Sequence, residues 1–130
     1  MNTKRSLLYW APRILGLVAI GFISMFALDS FEARQPLTTQ LLHFAQHLTP
    51  SFLLLALLAL AWKREKIGGI AFITIGLIFS PLVYMLNHGR NHFSVAQSLL
   101  VVLIITVPFI ITGALFLLSH SKRNTANAGA

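Results

Sequence analysis

The chain has 130 residues, of which 56% are hydrophobic and only 10% are charged. Its mean hydropathy of +0.77 lies outside the range of soluble globular domains and predicts one integral membrane domain over residues 1–130. The net charge of +7 is better explained by a membrane than by nucleic acid, which we do not expect as a partner. The absence of Cys excludes disulfides, thiolate sites and iron–sulfur clusters.

Four apolar runs are each long enough, at about 1.5 Å per residue, to cross or nearly cross a hydrocarbon core of about 30 Å. They predict an all-α membrane protein, a bundle of four transmembrane helices at approximately residues 13–31, 41–62, 67–86 and 96–119. The first run follows basic residues, as a secretory signal does, but it has no small-x-small cleavage site. We therefore predict an uncleaved anchor. The last residues, "NTANAGA", are expected to fray.

The second span carries a stripe of mostly small residues at alternating spacings of four and three. Small residues let membrane helices approach closely. We expect the second and third spans to form a helical hairpin, with the fourth packed close by. The stripe consists of Ala45, Thr49, Phe52, Ala56 and Ala59.

The distribution of basic residues predicts the orientation, because Lys and Arg flanks stay on the cytoplasmic side. Eight of the ten basic residues flank the spans on one side: Lys4, Arg5, Arg13, Lys63, Arg64, Lys66, Lys122 and Arg123. We therefore expect both termini in the cytoplasm (N-in/C-in). The first and third loops, which contain Arg34 and Arg90, then lie on the outer face.

Two histidine pairs spaced i to i+4 fall on that outer face, in "HFAQH" at 43–47 and "HGRNH" at 88–92. Two acids at the end of the first span fall there too. The sequence therefore indicates a candidate polar outer-face cluster of Asp29, Glu32, His43, His47 and Arg90.

His47 is the histidine whose position most needs an explanation. It lies one helical turn, about 6 Å, inside the expected outer edge of the hydrocarbon. An ionisable side chain at that depth is by default a functional candidate. The simpler hypothesis is that outer-face histidines occupy the headgroup zone and that His47 bonds a backbone carbonyl freed by a proline such as Pro50.

A metal or haem site is an alternative hypothesis for the histidines. A metal would take ligands from His43, His47, His88 and His92, with Asp29 or Glu32, and a haem one axial histidine from each pair. The fixed charge of Arg90 between His88 and His92 repels a cation, so we predict no metal and no cofactor. A third hypothesis is an anion or lipid headgroup held by Arg90 and Arg34.

No Ser, His and acid occur together in a pattern for nucleophilic catalysis, so we predict no catalytic residues and no enzyme activity. The zinc-protease pattern also fails, since Phe44 stands where the general base would be needed.

Several stretches carry a resemblance that covers nearly the whole chain. They are "RILG" at 13–16, "FALD" at 26–29, "HLTPSFLLL" at 47–55, "AWK" at 61–63, "GGIAFITIG" at 68–76, "GR" at 89–90 and "ITGALFLLS" at 111–119. They resemble a family of small uncharacterised bacterial four-span membrane proteins, classed as a domain of unknown function. The resemblance implies a fold and a bacterial inner membrane, but no activity. It directs attention to Asp29, His47, Pro50 and Arg90.

Two classes of function follow. The first is a non-enzymatic structural or accessory membrane module, whose partners are the lipid bilayer and either a larger membrane protein or a second copy of the chain. The alternative is a small oligomeric transporter. Small multidrug exporters have the same size, but they place a Glu in the middle of span one, where this chain has Leu17 to Gly21. Proton coupling would then fall to His47.

Overall fold

The structure is a computed structural model that describes residues 3–31 and 34–129, with the side chains of residues 3–5 and 30 left aside. The described chain is all-helical, with the helices α1 (Thr3–Met25), α2 (Leu37–Lys63), α3 (Glu65–Met85) and α4 (Val95–Ala128). A 3-10 turn, Phe26–Ser30, extends α1, and a π-helical turn, Leu86–Arg90, extends α3. All four helices are long and apolar enough to cross a membrane. The predicted all-α fold of four spanning helices is confirmed.

Two helices extend far beyond one boundary of the apolar runs from which they were predicted. α1 already includes Thr3, because basic residues such as Lys4 and Arg5 do not interrupt a helix. α4 continues to Ala128, so the prediction of a frayed tail is wrong for the residues described. The Thr125 side chain donates to the Ser121 carbonyl, and the chain contains no Gly or Pro between Gly113 and Gly129 that would end the helix earlier.

The bundle has two chemically different ends. The basic end is where α2 and α4 end and α3 begins, and it carries residues 63–66 and Arg123. The histidine end is where α2 and α4 begin and α3 ends, and it carries His43, His88 and His92. Each name is used below for that end of the bundle.

The closest helix pair is α3 with α4. Their backbones touch at two glycines, since a Cβ placed on Gly113 would lie 2.5 Å from the carbonyl oxygen of Gly69. Phe72 of α3 fills the adjoining core by stacking between Phe109 and Phe116 of α4, at centroid distances of 6.1 and 6.2 Å. The expected α2–α3 hairpin with the fourth span packed close by is therefore present, and the fourth span is the principal neighbour of the third.

The predicted small-residue face of α2 is not buried in the bundle. Ala45, Thr49, Phe52, Ala56 and Ala59 are all exposed. The buried face of α2 consists instead of Ser51, Leu54, Leu58 and Ala61. The prediction that the stripe packs inside this chain is wrong, because the tight turn after α2 presses Ala61 against Gly68 of α3 and so selects the other face.

Candidate functional site

A buried ion pair lies at the basic end. Glu65 is the first residue of α3, and only Arg64 separates it from the end of α2. The Arg64 amide donates to the Leu60 carbonyl at 2.8 Å, and the Arg64 carbonyl accepts from the Gly68 amide at 2.9 Å. This turn places the Glu65 carboxylate inside the bundle, where Nη2 of Arg13 donates to Oε1 at 2.8 Å. Both side chains are 1% exposed.

The same carboxylate is bound from α4. Nη2 of Arg123 donates to Oε2 of Glu65 at 3.0 Å, and the Ser119 hydroxyl approaches Oε1 at 3.4 Å. The Arg123 side chain is 54% exposed, so this second ion pair lies at the surface of the bundle. Glu65 therefore joins α1, α3 and α4, with both carboxylate oxygens engaged.

Aromatic rings surround the Arg13 guanidinium. Its central carbon lies 3.5 Å from the centroid of Tyr9, 5.4 Å from that of Phe116 and 5.8 Å from that of Trp62. Nη1 of Arg13 also donates to the Tyr9 carbonyl. A planar guanidinium can stack on aromatic rings and bind a carboxylate at the same time. Arg13 thus contacts residues of all four helices.

The cluster of Arg13, Glu65, Ser119 and Arg123 is a clamp, and we call it the Glu65 clamp. Glu65 at the first turn of α3 also interacts favourably with the helix dipole. Taking one partner from a buried ion pair leaves an uncompensated charge, at a cost of about 3–5 kcal/mol. The chemistry that this arrangement supports is cohesion of the helices, because its charged groups bind one another.

The described members of the predicted outer-face cluster lie at the opposite end, and they are exposed. Asp29 is exposed in the 3-10 turn, and Arg90 is exposed in the π-helical turn. Glu32 lies outside the described residues. His43 and His47 are exposed on α2, where Nδ1 of His47 bonds the carbonyl of His43 at 2.9 Å.

The acceptor of His47 differs from the one proposed from the sequence. Pro50 lacks an amide hydrogen and would free the carbonyl of Gln46, not that of His43. The bond from His47 is thus a local contact along one helical face. The expectation of a proline-freed carbonyl is wrong.

The second histidine pair makes contacts within its own segment. Nδ1 of His88 bonds the Phe93 carbonyl at 2.9 Å, and its ring stacks on Tyr84 at 5.4 Å. His92 is exposed and has a φ of 56°, in the left-handed region. Across residues 3–31 and 34–129, no group of three or more His, Asp or Glu side chains is placed to hold a metal ion. The absence of a metal or cofactor stays a prediction.

Sequence reasoning missed the Glu65 clamp, although two signals were present. Arg13 is the one charged residue between Ser6 and Leu28, and a charged residue in such an apolar stretch is a candidate for a buried contact. Glu65 is an acidic residue directly flanked by two basic residues, Arg64 and Lys66. Arg13 was assigned to the cytoplasmic flank and Glu65 to no site, and their separation of 52 positions conceals the contact.

The comparisons with known proteins give one family. A family model described as Domain of unknown function (DUF7670) matches residues 1–128, which confirms the resemblance to a family of that class. No curated protein and no solved structure matches the chain.

Proposed function

The chain belongs to the DUF7670 family, and we propose that it is a non-enzymatic structural or accessory module of the bacterial inner membrane. Four apolar helices support the membrane part of this proposal. The match to a domain of unknown function supplies no activity, so the role rests on the geometry of the bundle.

The Glu65 clamp carries the proposal. Oε1 and Oε2 of Glu65 are both engaged, by Arg13 with Ser119 and by Arg123. Buried charges in a membrane protein commonly mark substrate or proton pathways. Here they bind each other across three helices, which favours a role in holding the bundle together.

The accessory part of the proposal is supported by α2. Its exposed small residues, Ala45, Ala56 and Ala59, form a surface that a helix of another membrane protein could approach closely. A photo-crosslinking residue at Ala56 tests this in intact membranes, with one at the exposed Ile78 of α3 as the control. We expect an adduct of defined mass from position 56 only. Equal or absent crosslinking at both positions would contradict a partner on α2.

The proposed orientation puts the basic end and both termini in the cytoplasm. Because the chain has no Cys, single cysteines can report it directly. Gly89→Cys is suitable at the histidine end, since a Cβ there meets nothing within 4 Å, and Ser121→Cys is suitable near the basic end. A membrane-impermeant maleimide should label Gly89→Cys in intact cells and Ser121→Cys only in inverted vesicles. The reverse pattern would overturn the orientation.

The transporter alternative has its own test. A proton-driven flux in vesicles that disappears in His47→Ala would replace the proposed module by a transporter. We expect no such flux.

A further inference from the structure

A crevice of about 370 Å³ opens on the side of the bundle between α2 and α3, with α4 at its floor. Leu53 of α2 and Phe79 of α3 line it while being 68% and 44% exposed. These exposed side chains place the mouth on the lateral surface of the bundle. Ile75, Ile105 and Phe109 line it further in.

The crevice forms because the first half of α2 does not pack against α3 and α4. None of residues 37–50 is buried, whereas the buried face of the helix begins at Ser51. Pro50, inside the helix, lines the crevice at this point of change. The first half of α2 instead adjoins the 3-10 turn that follows α1, where Phe44 packs on Phe31 at 5.2 Å. The described residues leave the gap toward α3 and α4 unfilled.

The depth of the crevice restricts what can fill it. Its α3 residues, Ile75 to Phe79, lie 10 to 14 residues after Glu65, or about 15–21 Å along the helix. Its α4 residues, Ile105 to Phe109, lie equally far from the other end of the bundle, at Val95. The crevice is therefore near the middle of the hydrocarbon core whichever way the protein faces.

The polar groups at the crevice are already satisfied. The Thr49 hydroxyl donates to the Ala45 carbonyl at 3.0 Å, and the Thr106 hydroxyl donates to the Val102 carbonyl at 2.8 Å. Thr106 is also paired with Ser80 at 2.9 Å. An occupant needs no hydrogen-bonding group and gains dispersion contacts with the lining.

We propose that this crevice is a binding site for one acyl chain of a phospholipid from the surrounding bilayer. At this depth acyl chains are the solvent, and the lateral mouth admits one directly. The inference rests on the proposed membrane placement, and it adds a ligand class to a part of the bundle remote from the Glu65 clamp.

Native mass spectrometry of the chain, purified from membranes in mild detergent, tests the proposal by counting retained phospholipids. Thr49→Phe fills the crevice, and Thr74→Phe is the matched control. Thr74 is an exposed threonine of α3 outside the crevice, with the same type of bond, to the Ile70 carbonyl at 2.9 Å. We expect wild type and Thr74→Phe to retain one phospholipid. The amount of phospholipid retained by Thr49→Phe should be lower by a factor of about ten or more, equivalent to about 1.4 kcal/mol or more of lost binding free energy.

Equal retention in Thr49→Phe and Thr74→Phe would overturn the proposal, as would an apolar molecule other than a phospholipid in the wild-type chain. Leu53→Trp is a second filling variant, for use if Thr49→Phe loses helix content by circular dichroism. Alkaline carbonate extraction separates the two proposals. Release of the chain from membranes would overturn the proposed function, whereas an integral chain without bound lipid overturns only the crevice site.

Discussion

The two ends of the bundle use their polar residues in opposite ways. At the basic end, Arg13 and Glu65 are withdrawn from the surface and bind each other at 2.8 Å. At the histidine end, His43 and His47 are exposed, and the bond of His47 runs to its own helix. The histidine end is conspicuous in the sequence, but the described ion pairs that join separate helices lie at the basic end. The i to i+4 spacing of histidines on one helix is therefore a weaker indication of contacts between helices than a charged residue inside an apolar stretch.

The sharpest test of this comparison is removal of one acid from each end. Glu65→Ala leaves the 1%-exposed Arg13 guanidinium without its carboxylate, so we expect a loss of about 3–5 kcal/mol in the free energy of unfolding. Asp29→Ala, in the exposed 3-10 turn, should change it by less than about 0.5 kcal/mol. Denaturant titration in micelles, followed by circular dichroism, measures both. Similar losses at the two ends would contradict the contrast.

A paired replacement distinguishes an unpaired charge from a lost contact. In Arg13→Met with Glu65→Leu, no buried charge remains, and apolar side chains of similar volume occupy the site. We expect most of the stability lost in Glu65→Ala to return, because replacing both members of a buried pair is often neutral or stabilising. The same titration gives the answer, and a double variant as unstable as Glu65→Ala would show that the pair itself is irreplaceable.

The close contact of α3 with α4 predicts a smaller effect. In Gly113→Ala the new Cβ meets backbone atoms at 2.5 Å and 2.9 Å, in Gly69 and Ile73, so the helices must separate. Overpacking of this kind costs about 1–3 kcal/mol. In Gly21→Ala, where nothing lies within 4 Å, we expect a gain of up to about 1 kcal/mol from helix propensity. Opposite shifts in the unfolding midpoint are the expected result.

Arg123→Ala tests the exposed member of the clamp. Its side chain is 54% exposed, so water weakens its pair with Glu65, and we expect a loss of about 0–1 kcal/mol. Added salt should reduce the difference between this variant and wild type. A loss as large as that of Glu65→Ala would mean that Arg123, not Arg13, is the principal partner.

The smallest effect is expected for His43→Ala. The side chain is exposed, and substitutions of exposed residues usually stay within about 0.5 kcal/mol. Unfolding measurements should be paired with metal and haem content of protein purified without a histidine tag. Stoichiometric metal that disappears in this variant would restore the metal hypothesis for the histidine end.

Hydropathy predicted the four helices because length and apolarity alone decide whether a segment can span a membrane. It could not predict which face of α2 is buried. The rule for small residues identifies surfaces that permit close approach, but the turn at Arg64 and the contact of Gly68 with Ala61 select the face used. The sequence pattern therefore predicted the helix correctly and the buried face of that helix wrongly.

The Glu65 clamp could not be predicted from the sequence, for a different reason. Its members come from α1, α3 and α4, and a pairing of that kind depends on how the helices are arranged, which periodicity does not encode. Arg13 was counted as a flanking charge because rules for orientation consider the sign of a residue and not its burial. The histidines attracted attention because their spacing is visible within one short segment.

The one-residue connection between α2 and α3 has a consequence for biosynthesis. Arg64 alone joins a helix of 27 residues to one of 21 residues, so no loop exists that could be threaded across the bilayer separately. We expect the two segments to enter the membrane together as a helical hairpin, with the exposed side chains of Lys63, Arg64 and Lys66 at its tip. The ion pair between Glu65 and Arg13 then forms only when α1 packs against this hairpin.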